Sequence, residues 1–205
     1  MTQQLSRIQA RGTVYKLLSW GFLYPREPFL NQLVSGEYPS ALVNAVQTAW
    51  DGCAVPEIPV DPGIVGQLPP EYISYFEVGK KQPPCAPYAG LYLQGQQRTY
   101  VLLHLSEVYK NFGLAMAEEP NELQDHLAVE LEFMHFLCFK EYQALEENAP
   151  QLSGYRQAQK DFLQRHMLEW LPAFAASVKK NCRNDFYLSL TELCQRCITL
   201  DSESL

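Results

Sequence analysis

The sequence has little charge, no excess of positive charge and no long apolar run. Charged residues make up 19% of the 205 residues, and Asp and Glu outnumber Lys and Arg by 23 to 16. A protein that binds the phosphate backbone of nucleic acid needs a clustered basic face, so no nucleic-acid partner is expected. The longest uncharged stretch, Gln82 to Gln97, has 16 residues and three prolines. We therefore expect no membrane insertion.

Signals for export, catalysis and metal binding are also missing. Arg7, Arg11 and Lys16 interrupt the stretch that a secretory signal would keep apolar, so a cytoplasmic location is expected. The sequence has no nucleophile elbow, Walker loop, dinucleotide-binding glycine pattern or His-Glu-x-x-His. Cys194 and Cys197 have metal-ligand spacing, but no second pair of ligands lies near them. We predict neither a catalytic residue nor a cofactor nor a metal site.

Apolar residues recur with helical spacing wherever a period is clear, and 47% of the chain is hydrophobic. Sustained alternation of the kind that strands show is missing. The pattern predicts an all-α, single-domain helical bundle over residues 1–205, with Phe162, Trp170, Phe174 and Phe186 in its core. The predicted helices run from Thr2 to a stop at Pro25, and over 28–34, 40–53, 71–78, 98–112, 121–147, 154–170, 172–180 and 184–200.

Two proline-rich segments interrupt this pattern in the middle of the chain. Residues 54–70 hold five prolines and two glycines, and residues 79–97 hold three prolines and three glycines. Proline and glycine clusters are typical of loops. Loops of this length inside a helical protein are often functional.

The stretch from Glu118 to Glu132 is acidic, with six acids among fifteen residues and no Lys or Arg. Asn121 is a suitable N-cap, and acids in a first helical turn are favoured by the helix dipole, which accounts for Glu122 and Asp125. The dipole does not explain His126 and Glu130 on a helix that is apolar on two sides. Polar groups there should be paired, exposed in a groove, or bound to a partner.

One enzymatic alternative follows from Glu132 and His135, which form the Glu-x-x-His pair that di-iron helical bundles use. Such a site needs a second Glu-x-x-His, and no other histidine has a glutamate three residues before it. A packed or capping role for His135 is the competing interpretation.

Three short motifs, taken in order, resemble the TorD/DmsD/NarJ family of maturation chaperones for molybdoenzymes. Tyr72-x-x-Tyr75-Phe76 resembles the family's aromatic-x-x-Leu-Phe, with tyrosine in place of leucine. The run 87–93, Pro-Tyr-Ala-Gly-Leu-Tyr-Leu, is similar to its Ser-Pro-aromatic-x-Ser-(Leu/Val)-aromatic stretch. The run 122–127, Glu-Leu-Gln-Asp-His-Leu, resembles its Glu-Pro-x-Asp-His, with leucine in place of proline. With the C-terminal aromatic residues, the resemblance covers nearly the whole chain.

The resemblance implies an all-helical fold and a protein that is not an enzyme. It implies a cytoplasmic chaperone that binds the leader peptide, the body, or both, of a molybdopterin oxidoreductase precursor until its cofactor is inserted and export proceeds. It further implies a monomer or a dimer with exchanged helices. The client itself is not encoded in any motif of this chain.

A leader with paired arginines and an apolar stretch needs carboxylates beside an apolar, aromatic wall. We predict that Glu122 and Asp125 supply the charge, with His126 beside them. The predicted wall consists of Tyr72, Tyr75, Phe76, Pro87, Tyr88, Leu91 and Tyr92. In one alternative these aromatic side chains pack on the bundle, and Asp125 and His126 tie the long helix to a loop. In another, the same groove serves a helical adaptor for an unrelated amphipathic peptide.

Overall fold

The computed structural model describes residues 2–93, 95, 97–115 and 122–205, and across these ranges the chain is helical, without a strand. The helices of the first half are α1 (Thr2–Gly21), α2 (Glu27–Val34), α3 (Glu37–Ala49) and α4 (Pro62–Tyr72), the last continuing into a π-helical turn (Ile73–Glu77). After a 3₁₀ turn (Ala89–Leu91) come α5 (Arg98–Asn111), α6 (Leu127–Glu146), α7 (Leu152–Phe162), a second π-helical turn (Leu163–Met167), α8 (Leu168–Asn181) and α9 (Asp185–Ser204). The all-α prediction is confirmed.

Helices α1 and α6 form the centre of the bundle and pack closely along each other. The contact is tight at Gly12, where a Cβ atom would lie 3.2 Å from the Cβ atom of Cys138. The predicted core aromatics are buried: Trp170, Phe174 and Phe186 have no exposed surface. Burial of such side chains supplies most of the driving force for folding.

A buried charge network ties α1 to α6, α7 and α9. The Arg11 guanidinium donates to both carboxylate oxygens of Asp201, at 2.5 and 3.0 Å, and to Glu141 at 3.0 Å. It also donates to the amide oxygen of Gln159 at 2.6 Å, and Tyr15 donates to Asp201 at 2.6 Å. Buried charges of this kind persist only when they are paired and hydrogen-bonded.

The loop predicted at 54–70 is wrong over its second part, because α4 begins at Pro62. Asp61 caps this helix and accepts the N–H groups of Gly63 and Ile64, each at 3.1 Å. Proline suits the first helical position, where no N–H partner is needed. Pro69 and Pro70 lie inside the last turns of α4, just before the chain widens into the π-helical turn. In the described part of the second predicted loop, the regular structure is the 3₁₀ turn.

The long helix predicted from Asn121 begins instead at Leu127, and Asn121 lies outside the described residues. Residues 122–126 are not helical because their backbone pairs with the run 87–89. Ala89 N–H donates to the carbonyl of Asp125, and Leu127 N–H donates to the carbonyl of Pro87, both at 2.8 Å. His126 caps α6, its Nδ1 accepting the Ala128 N–H at 3.1 Å.

The predicted break before Pro172 is also wrong. Helix α7 passes through the π-helical turn into α8, and Pro172 lies within α8. A proline removes one backbone donor and crowds the preceding turn. In the π-helical turn the backbone departs from regular α-helical bonding. This wider turn ends five residues before Pro172.

Candidate functional site

An open groove of about 560 Å³ lies where the end of α1 and helix α2 face the acidic segment before α6. Its apolar wall consists of Trp20, Leu23, Tyr24 and Phe29. Glu77 and Glu122 supply two carboxylates to the lining, and Arg26 supplies one cation. We call it the acidic groove. Trp20 and Tyr24 are 37% and 41% exposed, so the wall presents aromatic surface to solvent. A wall of this kind with two carboxylates suits a chain segment that is both cationic and apolar.

The aromatic wall is supported from behind by two residues predicted to form it. Tyr24 meets the buried Tyr72 edge to face, with ring centroids 5.6 Å apart, and Tyr72 donates its hydroxyl to the carbonyl of Phe22 at 3.2 Å. Phe76 is 2% exposed and packs on Tyr72 at 5.2 Å. Tyr72 and Phe76 therefore belong to the core that holds Tyr24 in place.

Glu122 is the predicted carboxylate that lines the acidic groove. Its side chain is 18% exposed, and the Tyr88 hydroxyl donates to it at 2.9 Å. Burial raises the pKa of Glu122, and the nearby Glu77 carboxylate raises it further, while the bond from Tyr88 opposes them. A cation that binds beside such a carboxylate favours its ionised form and compensates for the water contacts that burial removes.

His126 lies beneath this carboxylate as a neutral ring. Its Nε2 is 3.7 Å from the Glu122 carboxylate, and burial lowers the pKa of His126 to about 3. Because Nδ1 accepts the Ala128 N–H, the proton of the neutral ring is on Nε2, facing Glu122. At neutral pH His126 therefore lies beside Glu122 without cancelling its charge.

Asp125 does not reach the groove. Its carboxylate is fully buried and accepts two bonds from the Arg98 guanidinium, at 3.0 and 3.1 Å, and a third from the Gly90 N–H at 3.1 Å. A side chain at position 90 would collide, since its Cβ would lie 2.5 Å from Arg98 Cγ. This arrangement matches the alternative in which Asp125 ties the start of α6 to the loop.

Arg98 links the buried carboxylate to the groove. Its guanidinium lies over the Tyr88 ring, 4.7 Å from the ring centroid, while it pairs with Asp125. The same ring also meets His126 edge to face, with ring centroids 5.0 Å apart. Tyr88 is thus held between two neighbours and directs its hydroxyl at Glu122.

The other predicted wall residues lie away from the acidic groove. Tyr75 accepts the N–H of Arg183 at 3.2 Å, and Tyr92 stacks on Trp170 with centroids 5.9 Å apart. Pro87 is buried, and Leu91 is 38% exposed outside the groove lining.

Most of the groove wall was not predicted from the sequence. Trp20, Tyr24 and Phe29 come from a stretch in which aromatic residues surround Pro25 and Pro28. In the sequence, this clustering of aromatic residues around two prolines was the signal for the groove wall. Aromatic side chains at a helix break are not needed to continue the helix. Glu77, the second carboxylate, ends the π-helical turn after α4.

The described residues offer no support for the di-iron alternative. Within them, no group of three or more His, Cys, Asp or Glu side chains is arranged to hold a metal ion. His135 is bonded through Nδ1 to the carbonyl of Gly12 at 2.8 Å, which agrees with a packed role. Among the described helices, none has the length and apolar character needed to cross a bilayer.

Comparison with known proteins finds a family model described as the nitrate reductase delta subunit, which matches residues 66–176. A perchlorate reductase assembly chaperone protein from Dechloromonas aromatica is 30% identical across the whole chain and 94% of its own length. A selenate reductase assembly chaperone protein from Thauera selenatis is 34% identical over 56% of the chain and 60% of its own length. A chaperone protein TorD from Vibrio cholerae is 39% identical over 43% of the chain and 40% of its own length.

A solved structure from Archaeoglobus fulgidus, described as a candidate redox enzyme maturation protein, has a similar fold. It superposes with a TM-score of 0.56 over 90% of this chain and 93% of that one, at 23% identity. At this identity the likeness concerns the fold alone.

Proposed function

This chain belongs to the nitrate reductase delta subunit family, the TorD/NarJ group of molybdoenzyme maturation chaperones, and we propose that it holds its client's leader peptide in the acidic groove. It is a chaperone and not a catalyst. Its partner is the catalytic subunit of a reductase, the kind of enzyme that its relatives are named as assembling. We further propose that the bound segment is the leader, that the chaperone is cytoplasmic, and that it is a monomer or a dimer with exchanged helices.

One observation carries the proposal: Glu122 and Glu77 stand at the edge of an aromatic groove. Paired arginines need carboxylates, and charge-assisted bonds of this type are about twice as strong as neutral ones. The apolar residues that follow the arginines need an apolar surface nearby, which Trp20 and Tyr24 expose. Tyr88 fixes the Glu122 side chain before the client arrives, so less rotamer freedom is lost on binding.

The remaining predicted residues then act as supports rather than contacts. Arg98 and Asp125 hold the segment 122–126 against the loop, and His126 lies under the carboxylate. In this proposal the backbone around the Asp-His pair, bonded to the run 87–89, places Glu122, and neither side chain of the pair touches the client.

The test is titration calorimetry with a synthetic peptide that carries two arginines followed by an apolar segment. For Glu122→Gln we expect affinity about tenfold weaker, because one charge-assisted bond of about 1.4 kcal/mol is lost, together with a weaker dependence on salt. The matched control is Glu147→Gln, which removes one exposed acid at the end of α6. Equal affinity for a peptide whose arginines are replaced by alanine would favour the adaptor alternative.

A further inference from the structure

The acidic groove adjoins a second concavity, and the Trp20 side chain lines both. The second groove holds about 430 Å³ and runs between α1 and α6. Ile8, Thr13 and Lys16 line it from α1, and Phe139 and Tyr142 line it from α6. We call it the α1–α6 groove.

This groove exposes apolar surface that the packing of the bundle does not cover. Phe139 is 50% exposed and Trp20 is 37% exposed. The two helices are fixed where they cross, because Gly12 meets Cys138 closely and its carbonyl is bonded to His135. The bundle therefore cannot easily close over Phe139, and exposed apolar patches of this kind mark binding surfaces.

We propose that the α1–α6 groove receives the apolar segment that follows the arginines in the client's leader. The proposal rests on the function proposed above and adds a second contact surface and a direction. The arginines lie at Glu77 and Glu122, and the apolar segment passes Trp20 toward Phe139 and Ile8.

Charge sets this direction. Among the described residues that line the α1–α6 groove there is no Asp or Glu and one cation, Lys16, whereas the acidic groove has two carboxylates against one cation, Arg26. Lys16 lies over the Trp20 ring at 5.0 Å, and Lys140 lies 5.8 Å from the Phe139 ring centroid. Arginines are therefore attracted to one end of the surface and repelled from the other, while an apolar segment finds its partners along the α1–α6 groove.

The length of the groove suits the apolar part of a leader. From Ile8 to Trp20, α1 rises about 18 Å at 1.5 Å per residue. A helical peptide of about 12 residues covers that distance, and the apolar regions of export leaders contain roughly 7–15 residues. A leader bound in this way would lie along α1 with its apolar face on Phe139 and Trp20.

The experiment compares two synthetic peptides that begin with the same two arginines. One continues with twelve leucine and alanine residues, and the other with twelve serine and glycine residues. Phe139→Ser should weaken binding of the apolar peptide about tenfold, since roughly 60 Å² of lost apolar contact corresponds to one decade. It should leave the second peptide unaffected. Leu103→Ser, at a residue that is 57% exposed on α5 and lines neither groove, is the control and should change neither affinity.

A photo-crosslinking group at either end of the apolar peptide tests the direction. Placed beside the arginines, it should label the surroundings of Glu77 and Glu122; placed at the far end, it should label residues 8–13 or 135–142. The reverse pattern would overturn the proposal.

The other outcomes separate this proposal from the one on which it rests. If Glu122→Gln weakens binding but Phe139→Ser does not, the α1–α6 groove is not the apolar site, and the leader-binding function stands. If neither peptide binds, both proposals fail. If Phe139→Ser instead turns a dimer into a monomer with peptide affinity unchanged, the groove is an interface between copies of this chain and the proposal is wrong.

Discussion

Replacing Asp125 by asparagine should destabilise the fold and spare the binding surface. The buried carboxylate accepts both bonds of the Arg98 guanidinium and the Gly90 N–H. Asparagine keeps the shape but turns an amide N–H₂ toward a guanidinium that has nothing to accept from it. Removing one partner of a buried ion pair costs about 3–5 kcal/mol.

The Arg98 side chain is 35% exposed, so water compensates part of that loss. We therefore expect a loss of about 2 kcal/mol in the free energy of unfolding. For a chain of 205 residues this corresponds to a melting temperature lower by about 5 °C. Thermal unfolding followed by circular dichroism, with urea unfolding as a second measure, checks the value.

The comparison with Glu122→Gln makes the reasoning refutable. That variant should keep its melting temperature within about 1–2 °C and lose affinity for the arginine peptide, because its carboxylate lines the groove. Asp125→Asn should have a lower melting temperature but an unchanged affinity for the arginine peptide, measured at temperatures where it remains folded. An unchanged melting temperature with weakened peptide binding in Asp125→Asn would mean that this carboxylate contacts the client, and our assignment of the two acids would be wrong.

Three further outcomes follow from the described contacts. Gly90→Ala should lose about 1–3 kcal/mol of unfolding free energy in urea titrations, because its Cβ would lie 2.5 Å from a neighbouring side chain, whereas Gly154→Ala, with open space around it, should lose none. Arg11→Met should lose about 3–5 kcal/mol of unfolding free energy by the same measure, since it leaves the buried Asp201 without its cation. A variant as stable as the wild type would mean that the charge network does not stabilise the fold. Burial raises the pKa of Glu122, so affinity for the arginine peptide should fall as calorimetry moves from about pH 8 to about pH 5; a flat profile would count against this carboxylate as the contact.

Periodicity predicted the helices well where packing and local preference agree. Trp170, Phe174 and Phe186 recur at helical spacing and are all buried. Two of the errors involve proline. Pro62 was assigned to a loop and Pro172 to the start of a new helix, yet the first starts a helix and the second lies within one. A proline ends a helix only where its missing N–H and its ring cannot be accommodated, and that depends on the neighbouring turns.

Short motifs identify residues but not their partners. Glu122 lines the groove, whereas the neighbours of Asp125 are Arg98 and the Gly90 N–H, which come from the other side of the loop. Trp20 comes from the first helix, far away along the chain. Contacts between such distant segments follow from tertiary packing, and one sequence gives no direct measure of them.

The departure of residues 122–126 from helical structure is what creates the acidic groove. If α6 began earlier, Glu122 and His126 would stack one turn apart on the helix's own face. Instead, the segment forms a turn closed by the His126 N–H and the carbonyl of Leu123, and the backbone bonds between 87–89 and 125–127 hold it against the loop. The Tyr88 hydroxyl can then reach the Glu122 carboxylate, and Arg98 can cover the ring from its other side. The backbone bonds around the Asp-His pair are therefore the reason that a carboxylate faces the aromatic wall.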